Sequence, residues 1–464
     1  MIAIYMKKMM MILVIFAVLG CTKKLDLKPD SLIVVPKSAK DLQLILDNTD
    51  VMNVTPNIGH VSADEYFFSS LQAWQSLYSP VTRAASVWQK DIYAGVTQVS
   101  DWIRPYSTIY YSNTVLDILA SQDISNDNEK RVLKGWALFA RAYAYYNLVS
   151  LFSKAYDPLS ASQDLGVPLK LNANIDEILQ RSTLEQCYNQ IILDAKAAGD
   201  LLQQDIISNK RSRPSKVAAY ALLARVYLNM GKFTEAEAYA DKTLSLYSTL
   251  TDYNLISKTA DFGLSFNSEE IIYLTSQYPD YDELNPGLET AYGIVPELIN
   301  LYNPSDLRLP IYFQKNTLGN YNIRSVYTGS STLFSGLATD EIYLIKAECL
   351  ARRGETLQSM SYLNQLGIKR WNPNATSPSK PYENLIANTP EIALDKVLIE
   401  RRKALVFRGI RWTDLKRLNV EGRNITITRK LDDQIFTLEP NSPRYVLPIP
   451  DDEVALSGVA QNVR

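Results

Sequence analysis

One histidine and three cysteines in 464 residues leave almost nothing from which to build a His/Cys zinc site. A Ser-His-Asp or Cys-His mechanism has only His60 to draw on. The chain has no P-loop, no G-x-G-x-x-G after a strand, no H-E-x-x-H and no nucleophile elbow. Carboxylates are plentiful, so a glycosidase pair stays open, with Asp64-Glu65 nearest to an aromatic stretch. Adjacent surface acids are usually solvated, and such a pair needs matched spacing, so no enzyme is expected. Charge of one sign is also missing. With 48 Lys+Arg against 50 Asp+Glu the net charge is −2, and no global field favours nucleic acid. Long hydrophobic runs are absent too: Met9 to Val18 falls well short of the about 20 residues a bilayer requires.

That short run has a meaning of its own. Met6-Lys7-Lys8, the apolar run and Leu19-Gly20-Cys21 have the layout of a secretory signal. Val18-Leu19-Gly20-Cys21 resembles a bacterial lipobox, which implies cleavage before Cys21 and lipidation of that cysteine. Several acyl chains then suffice for stable anchoring. Residues 1–20 read as the signal, with the start open between Met1 and Met6, and residues 21–37 as a lipid-anchored tether. Residues 38–464 read as one domain. Ser38 or Asp41 caps its first helical pattern, Leu42, Leu44, Ile45 and Leu46.

Tyrosine stands out at 29 residues, most of which must pack between helices. Met52 to Ser100 has little period and many aromatics, and reads as long loops on short helices. Helical patterns follow from Trp102 to Leu119 and from Glu129 to Phe152, with Asn126 to Asn128 as the turn between them. Ser182 and Glu185 form a capping box for the next helix. Tyr220, Ala224, Tyr227, Gly231, Ala236 and Ala240 have the tetratricopeptide spacing. Trp136, Ala140 and Tyr143 repeat its first part, and so do Tyr343, Ala347, Leu350 and Gly354. The copies are not 34 residues apart, so long insertions separate the helix pairs. The scaffold is expected over about 102–250 and 336–420, and an insertion rich in Pro and Tyr over about 252–335. Ile271 to Leu274 reads as a strand. So does Arg423 to Lys430, with Gln434 to Leu438 as its partner. The fold class is mainly α, with helical hairpins as scaffold, long irregular insertions and a few short strands.

From Val397 to Asn419 the chain reads VLIERRKALVFRGIRWTDLKRLN. Periodicity alone makes this a basic amphipathic helix on the outside of a domain, with a break or close packing at Gly409. Its wording is more specific. Glu400, Arg401, Arg402, Leu405, Phe407, Gly409, Arg411, Trp412, Asp414 and Leu415 resemble the C-terminal signature of the SusD/RagB family of Bacteroidetes outer-membrane lipoproteins. Ala404 and Arg408 replace two of its glutamates. Leu25-Asp26-Leu27-Lys28-Pro29 after the cysteine is similar to that family's tether. Tyr445-Val446-Leu447-Pro448-Ile449-Pro450, with Glu453 and the ending Gln461-Asn462, resembles its closing motif.

The resemblance implies a SusD-like fold and display on the cell surface. It also implies partnership with a SusC-like TonB-dependent transporter, to which an oligomeric nutrient, glycan or peptide, is delivered. Those loops carry no family motif, so binding candidates come from residue type and place: Trp74, Tyr78, Trp88, Tyr281 and Tyr292. Rings would stack on the apolar C–H faces of sugars, and Asn, Gln, Asp and Arg would read hydroxyls. No cofactor is called for, and the Asp- and Asn-rich loops leave a structural calcium ion open. A helical-repeat envelope lipoprotein that docks proteins and binds no nutrient is the alternative.

Overall fold

The structure, a computed structural model, describes residues 36, 38–122, 126–206, 209–284, 286–287, 289–324, 327–375 and 380–464. Cys21, the signal segment and the tether lie outside the described residues. The first helix, α1 (Ala39–Leu46), is opened by Ser38 and Asp41 together. The Ser38 hydroxyl accepts from the Asp41 N–H, and the Asp41 carboxylate accepts from the Ser38 N–H.

Helical pairs then build the scaffold: α2 (Ser100–Ser121), α3 (Asp127–Phe152), α4 (Leu184–Leu201), α5 (Lys216–Asn229) and α6 (Phe233–Leu246). After the insertion come α7 (Thr339–Arg352), α8 (Thr356–Lys369), α9 (Pro390–Ala404) and α10 (Arg411–Val420). Each of α2 to α8 packs on the next along the chain, and α6 meets α7 although residues 247–338 separate them. The expected capping box is displaced by one residue. Thr183 is the cap of α4 and Gln186 its partner, because the Thr183 hydroxyl is the one placed over the Gln186 N–H.

The insertion is more ordered than its composition suggests. Short strands tie it to the rest: β1 (Val54–Thr55) pairs parallel with β4 (Ser276–Gln277), β2 (Tyr66–Phe68) antiparallel with β5 (Tyr292–Ile294), and β3 (Ile271–Tyr273) with β8 (Leu337–Ala338). β6 (Phe313–Lys315) and β7 (Tyr321–Ile323) form a hairpin, as do β9 (Ile427–Leu431) and β10 (Gln434–Leu438). Its tyrosines turn inward. Tyr253 bonds Tyr312 at 2.8 Å and Tyr327 at 3.1 Å, and Tyr327 donates to Glu270 at 2.5 Å, all buried. Buried hydroxyls need partners, and these find one another.

The signature departs most from its periodic reading. It is two helices joined by a sharp turn, not one helix on the surface. Phe407 (φ 59°) and Gly409 (φ 72°) both adopt the left-handed conformation. For Phe407 that is strained, and two buried bonds hold it. Its N–H donates to Glu65 at 3.1 Å and its carbonyl accepts from Gln277 at 3.1 Å. Arg401, Lys403, Arg408 and Arg417 are buried because carboxylates from distant segments and from the signature itself meet them, and Lys416 because the Ser150 and Ser153 carbonyls do. Arg417 binds Glu348 at 2.6 and 3.0 Å and Asp414 at 2.8 Å, and Arg401 binds Asp414 at 2.8 Å. Arg408, which replaces a family glutamate, binds Asp340 at 2.9 Å, while Lys403 reaches Asp306 at 3.0 Å.

Burial alone would raise the carboxyls of Glu348 and Asp306. The cations around them, Arg417 and Arg352 for Glu348, Arg308 and Lys403 for Asp306, overcome this and hold both at about 2. A carboxylate depressed on folding contributes stability above its unfolded value and loses it as pH falls through its folded value. Stability is therefore expected to fall as pH drops from about 4.5 towards 2, against unperturbed values of about 4. Asp101 and Asp194, raised chiefly by burial, work in the opposite direction. Urea midpoints at pH 6, 4 and 3 check the sign.

Candidate ligand platform

Trp88, Tyr281 and Tyr292 leave the set of binding candidates. Trp88 is 1% exposed, with its indole N–H on the Ser62 carbonyl at 2.9 Å. The Tyr281 hydroxyl donates to Asp101 at 2.6 Å inside the core, and Tyr292 is fully buried under the Tyr66 ring edge. A ring without an exposed face cannot stack on a ligand. These residues are core because the loops carrying them fold onto the scaffold, and a large apolar ring goes where it loses most water contact.

Trp74 and Tyr78 stay accessible to different degrees. Ser70 caps the short helix Leu71–Gln75 that carries Trp74. The Trp74 indole is half-buried and donates to the Arg83 carbonyl and the Ser86 hydroxyl, both at 3.1 Å. Tyr78 lies beyond that helix and is 96% exposed.

The structure adds a ring that composition did not single out. Strand alternation in β2 sends Tyr66 and Phe68 inward and Phe67 outward, half-exposed. Phe67 faces Gly293 across the ladder. A Cβ on Gly293 would fall 2.8 Å from the Phe67 ring and 3.0 Å from the Asn320 Cβ. Only glycine lets the ring lie there, against Asn320. The β6–β7 hairpin tip fixes that amide residue. Asn316 accepts from the Leu318 and Asn320 N–H groups and donates to the Glu289 carbonyl at 2.7 Å. Lys315 stands 5.2 Å over the half-exposed Tyr321 ring on the same hairpin. β2, β5 and the hairpin tip thus share one surface of a ring, an amide and a nearby cation. Gly293 between Tyr292 and Ile294 in a strand is the signal that reveals it, since a strand glycine marks close approach.

The platform is held from behind by the signature. Asp64 is bound by Arg411 at 2.7 and 2.8 Å and by Arg402 at 3.4 Å. Burial pushes its carboxyl up and these guanidiniums, Arg411 foremost, carry it well below the usual range. Glu65 holds Phe407, and the buried His60 lies 3.7 Å from Glu65 and 4.4 Å from the Phe407 ring. Arg429 of β9 donates to the carbonyls of Ala63, Tyr66 and Ser86. The Asp64-Glu65 pair is therefore a brace, fully engaged in holding the strand that presents Phe67. Cys187 and Cys349 are free and buried. Among the described residues no group of three or more His, Cys, Asp or Glu is placed to hold a metal ion.

A second surface feature stands apart. A cleft of about 450 Å³ lies between α2, the 168–179 loop and α11 (Asp451–Ser457). Tyr106, Tyr110, Tyr111, Ile175, Ile178 and Leu456 contribute to its walls.

Two family models match the chain. One, described as starch-binding associating with outer membrane, covers residues 23–228, and the SusD family model covers 337–463. SusD-like protein P2 of Formosa agariphila is 24% identical over 425 residues, 76% of this chain and 77% of that one. A SusD superfamily protein of Bacteroides thetaiotaomicron superposes with a TM-score of 0.73 at 21% identity, over 92% of this chain and 100% of that one. A putative sugar binding protein of Bacteroides vulgatus gives 0.71 at 22%, over 92% and 99%. A laminarin binding SusD-like protein gives 0.65 at 18%, over 92% and 99%.

Proposed function

The chain belongs to the SusD/RagB family, and from that premise we propose that it is a surface lipoprotein that captures an oligosaccharide and passes it to a SusC-like TonB-dependent transporter. The observation that carries the ligand class is the outward Phe67 ring, seated on Gly293 beside Asn320. An aromatic face suits the C–H face of a sugar ring, and Asn320 and Lys315 of the hairpin suit its hydroxyls, with the exposed Tyr78 as a further ring. Such a surface binds and orients, and Asp64 and Glu65 behind it are committed to Arg411 and Phe407. It needs no proton transfer, so we read the protein as a carrier and not an enzyme. No described helix is long and apolar enough to cross a membrane. Attachment to the outer membrane, facing the exterior, falls to acyl chains on Cys21.

The test is a binding screen of the chain from Lys23 onward against oligosaccharides and peptides, followed by calorimetry and tryptophan fluorescence. Saturable oligosaccharide binding, weakened about tenfold by Phe67→Ala and less by Tyr78→Ala, is the expected result. Binding of peptides alone keeps the uptake role and changes the nutrient. Silence across both libraries removes the capture reading and favours an envelope scaffold.

A further inference from the structure

The exposed apolar side chains around the α2 cleft have no role in the platform, with which the cleft shares no residue. Ile175 is 73%, Ile178 62% and Leu456 79% exposed, and Ile103, Tyr110 and Tyr111 beside them are each exposed by about two fifths. Leaving so many apolar side chains in water around one cleft marks a contact surface. The cleft is also built. Tyr106 donates to the Pro168 carbonyl at 2.9 Å, and Asn113 holds the Lys170 and Asn172 carbonyls at 3.0 and 2.9 Å. The Asn172 and Asn174 side chains then accept from the Asn174 and Asp176 N–H groups, two turns that bring Ile175 and Ile178 to the cleft.

The charge of the rim says what the cleft takes. Glu177 and Glu453 line it, with Asp117 bonded to its loop and Asp176 next to Glu177, against Lys170 as the one cation among its lining residues. Asp117 accepts from the Ala173 N–H, Glu177 from the Asn172 amide and Glu453 from the Trp102 indole, which fixes these carboxylates at the edge. Aliphatic walls with an acidic rim match a segment that carries apolar side chains beside lysine or arginine. A neutral sugar has neither. We propose that the α2 cleft is a docking site for a basic, apolar segment of a partner protein, separate from the nutrient platform. This stands whatever nutrient the platform takes.

The test pans a displayed library of random 12-residue peptides against the mature full-length chain. Affinities of the enriched peptides are then measured by fluorescence anisotropy. Enriched sequences should place Lys or Arg next to Leu, Ile or Phe. Their affinity should fall at least tenfold in Ile175→Ser/Ile178→Ser and severalfold in Glu177→Lys, and stay unchanged in Phe67→Ala. Both isoleucines are exposed, so the double variant should fold, and a wild-type melting curve verifies it. No enrichment, acidic sequences, or peptides indifferent to the isoleucine variant each overturn the docking site. Oligosaccharide binding lost in the isoleucine variant and kept in Phe67→Ala overturns both this site and the platform. Peptide docking without any oligosaccharide binding overturns the platform alone.

Discussion

Glu348→Ala should lower the free energy of unfolding by about 3–5 kcal/mol, the range for removing one partner of a buried ion pair. Glu348 is fully buried on α7 and faces two cations. Arg417 of α10 holds both its oxygens, and Arg352 one turn on holds Oε1 at 3.0 and 2.8 Å. Alanine leaves Arg417, 4% exposed, with Asp414 as its remaining close partner in a site that Arg401 also shares. The loss is then mostly the cost of an unpaired buried charge, not the worth of the original bond. Glu348→Gln separates the two: it keeps volume and acceptor and removes the charge. It should also flatten the decline of stability below pH 4.5, since a glutamine does not titrate. Arg417→Met with Glu348→Met should recover much of the single-variant loss, because a well-packed apolar pair can replace a buried ion pair. Equilibrium urea unfolding of the four proteins decides this. A loss below about 1 kcal/mol for Glu348→Ala means that the signature is not held through this pair.

That network shows why the signature could be recognised and still be misplaced by its period. Its apolar residues do have helical spacing, and Gly409 does mark the break. But Arg401, Arg408 and Arg417 are core residues: Asp340 and Glu348 come from α7 to meet Arg408 and Arg417, while Asp414 of the signature itself meets Arg401 across the turn. A local window sees nine charges and reads a wet face. It cannot see partners more than sixty residues away. The wording survived where the period misled because recognised residues carry their partners implicitly.

The helical pairs were legible because small residues and rings recur at helix spacing, and the β9–β10 hairpin because Asn424 to Thr428 alternates, although the strand itself runs later, from Ile427 to Leu431. The platform was legible only in part. Tyr78 and Trp74 stood out as aromatics in an irregular stretch, as did Trp88, Tyr281 and Tyr292, yet whether a loop ring faces water depends on what folds over it. Trp88 is covered because Arg429, on a strand more than three hundred residues away, draws the 63–86 segment inward and lies 5.6 Å over its ring. Phe67 escaped attention because its neighbours Tyr66 and Phe68 are equally aromatic, and only the strand's alternation tells them apart.

Gly293→Val should reduce oligosaccharide affinity about tenfold, some 1.4 kcal/mol, without unfolding the protein. Valine is favoured in strands, and the backbone at 293 lies outside the positive-φ positions of the chain, so β5 should keep its pairing with β2. What changes is the surface. The new Cβ sits where the Phe67 ring and Asn320 Cβ are now 2.8 and 3.0 Å away, and the two γ-methyls extend further into that space. The ring must leave the strand, and its stacking face leaves with it. Phe67→Ala should lose a similar amount by removing the ring outright. If the glycine acts only by making room for Phe67, the double variant Gly293→Val/Phe67→Ala should be little worse than either single variant, a coupling energy about as large as one single-variant loss in a double-mutant cycle. Additive losses would mean that Gly293 and Phe67 act on the ligand separately. Full affinity in Gly293→Val would place the sugar elsewhere on the protein. Calorimetric titration with the best oligosaccharide of the screen measures all four corners, and near-wild-type melting temperatures establish that the comparison is between folded proteins.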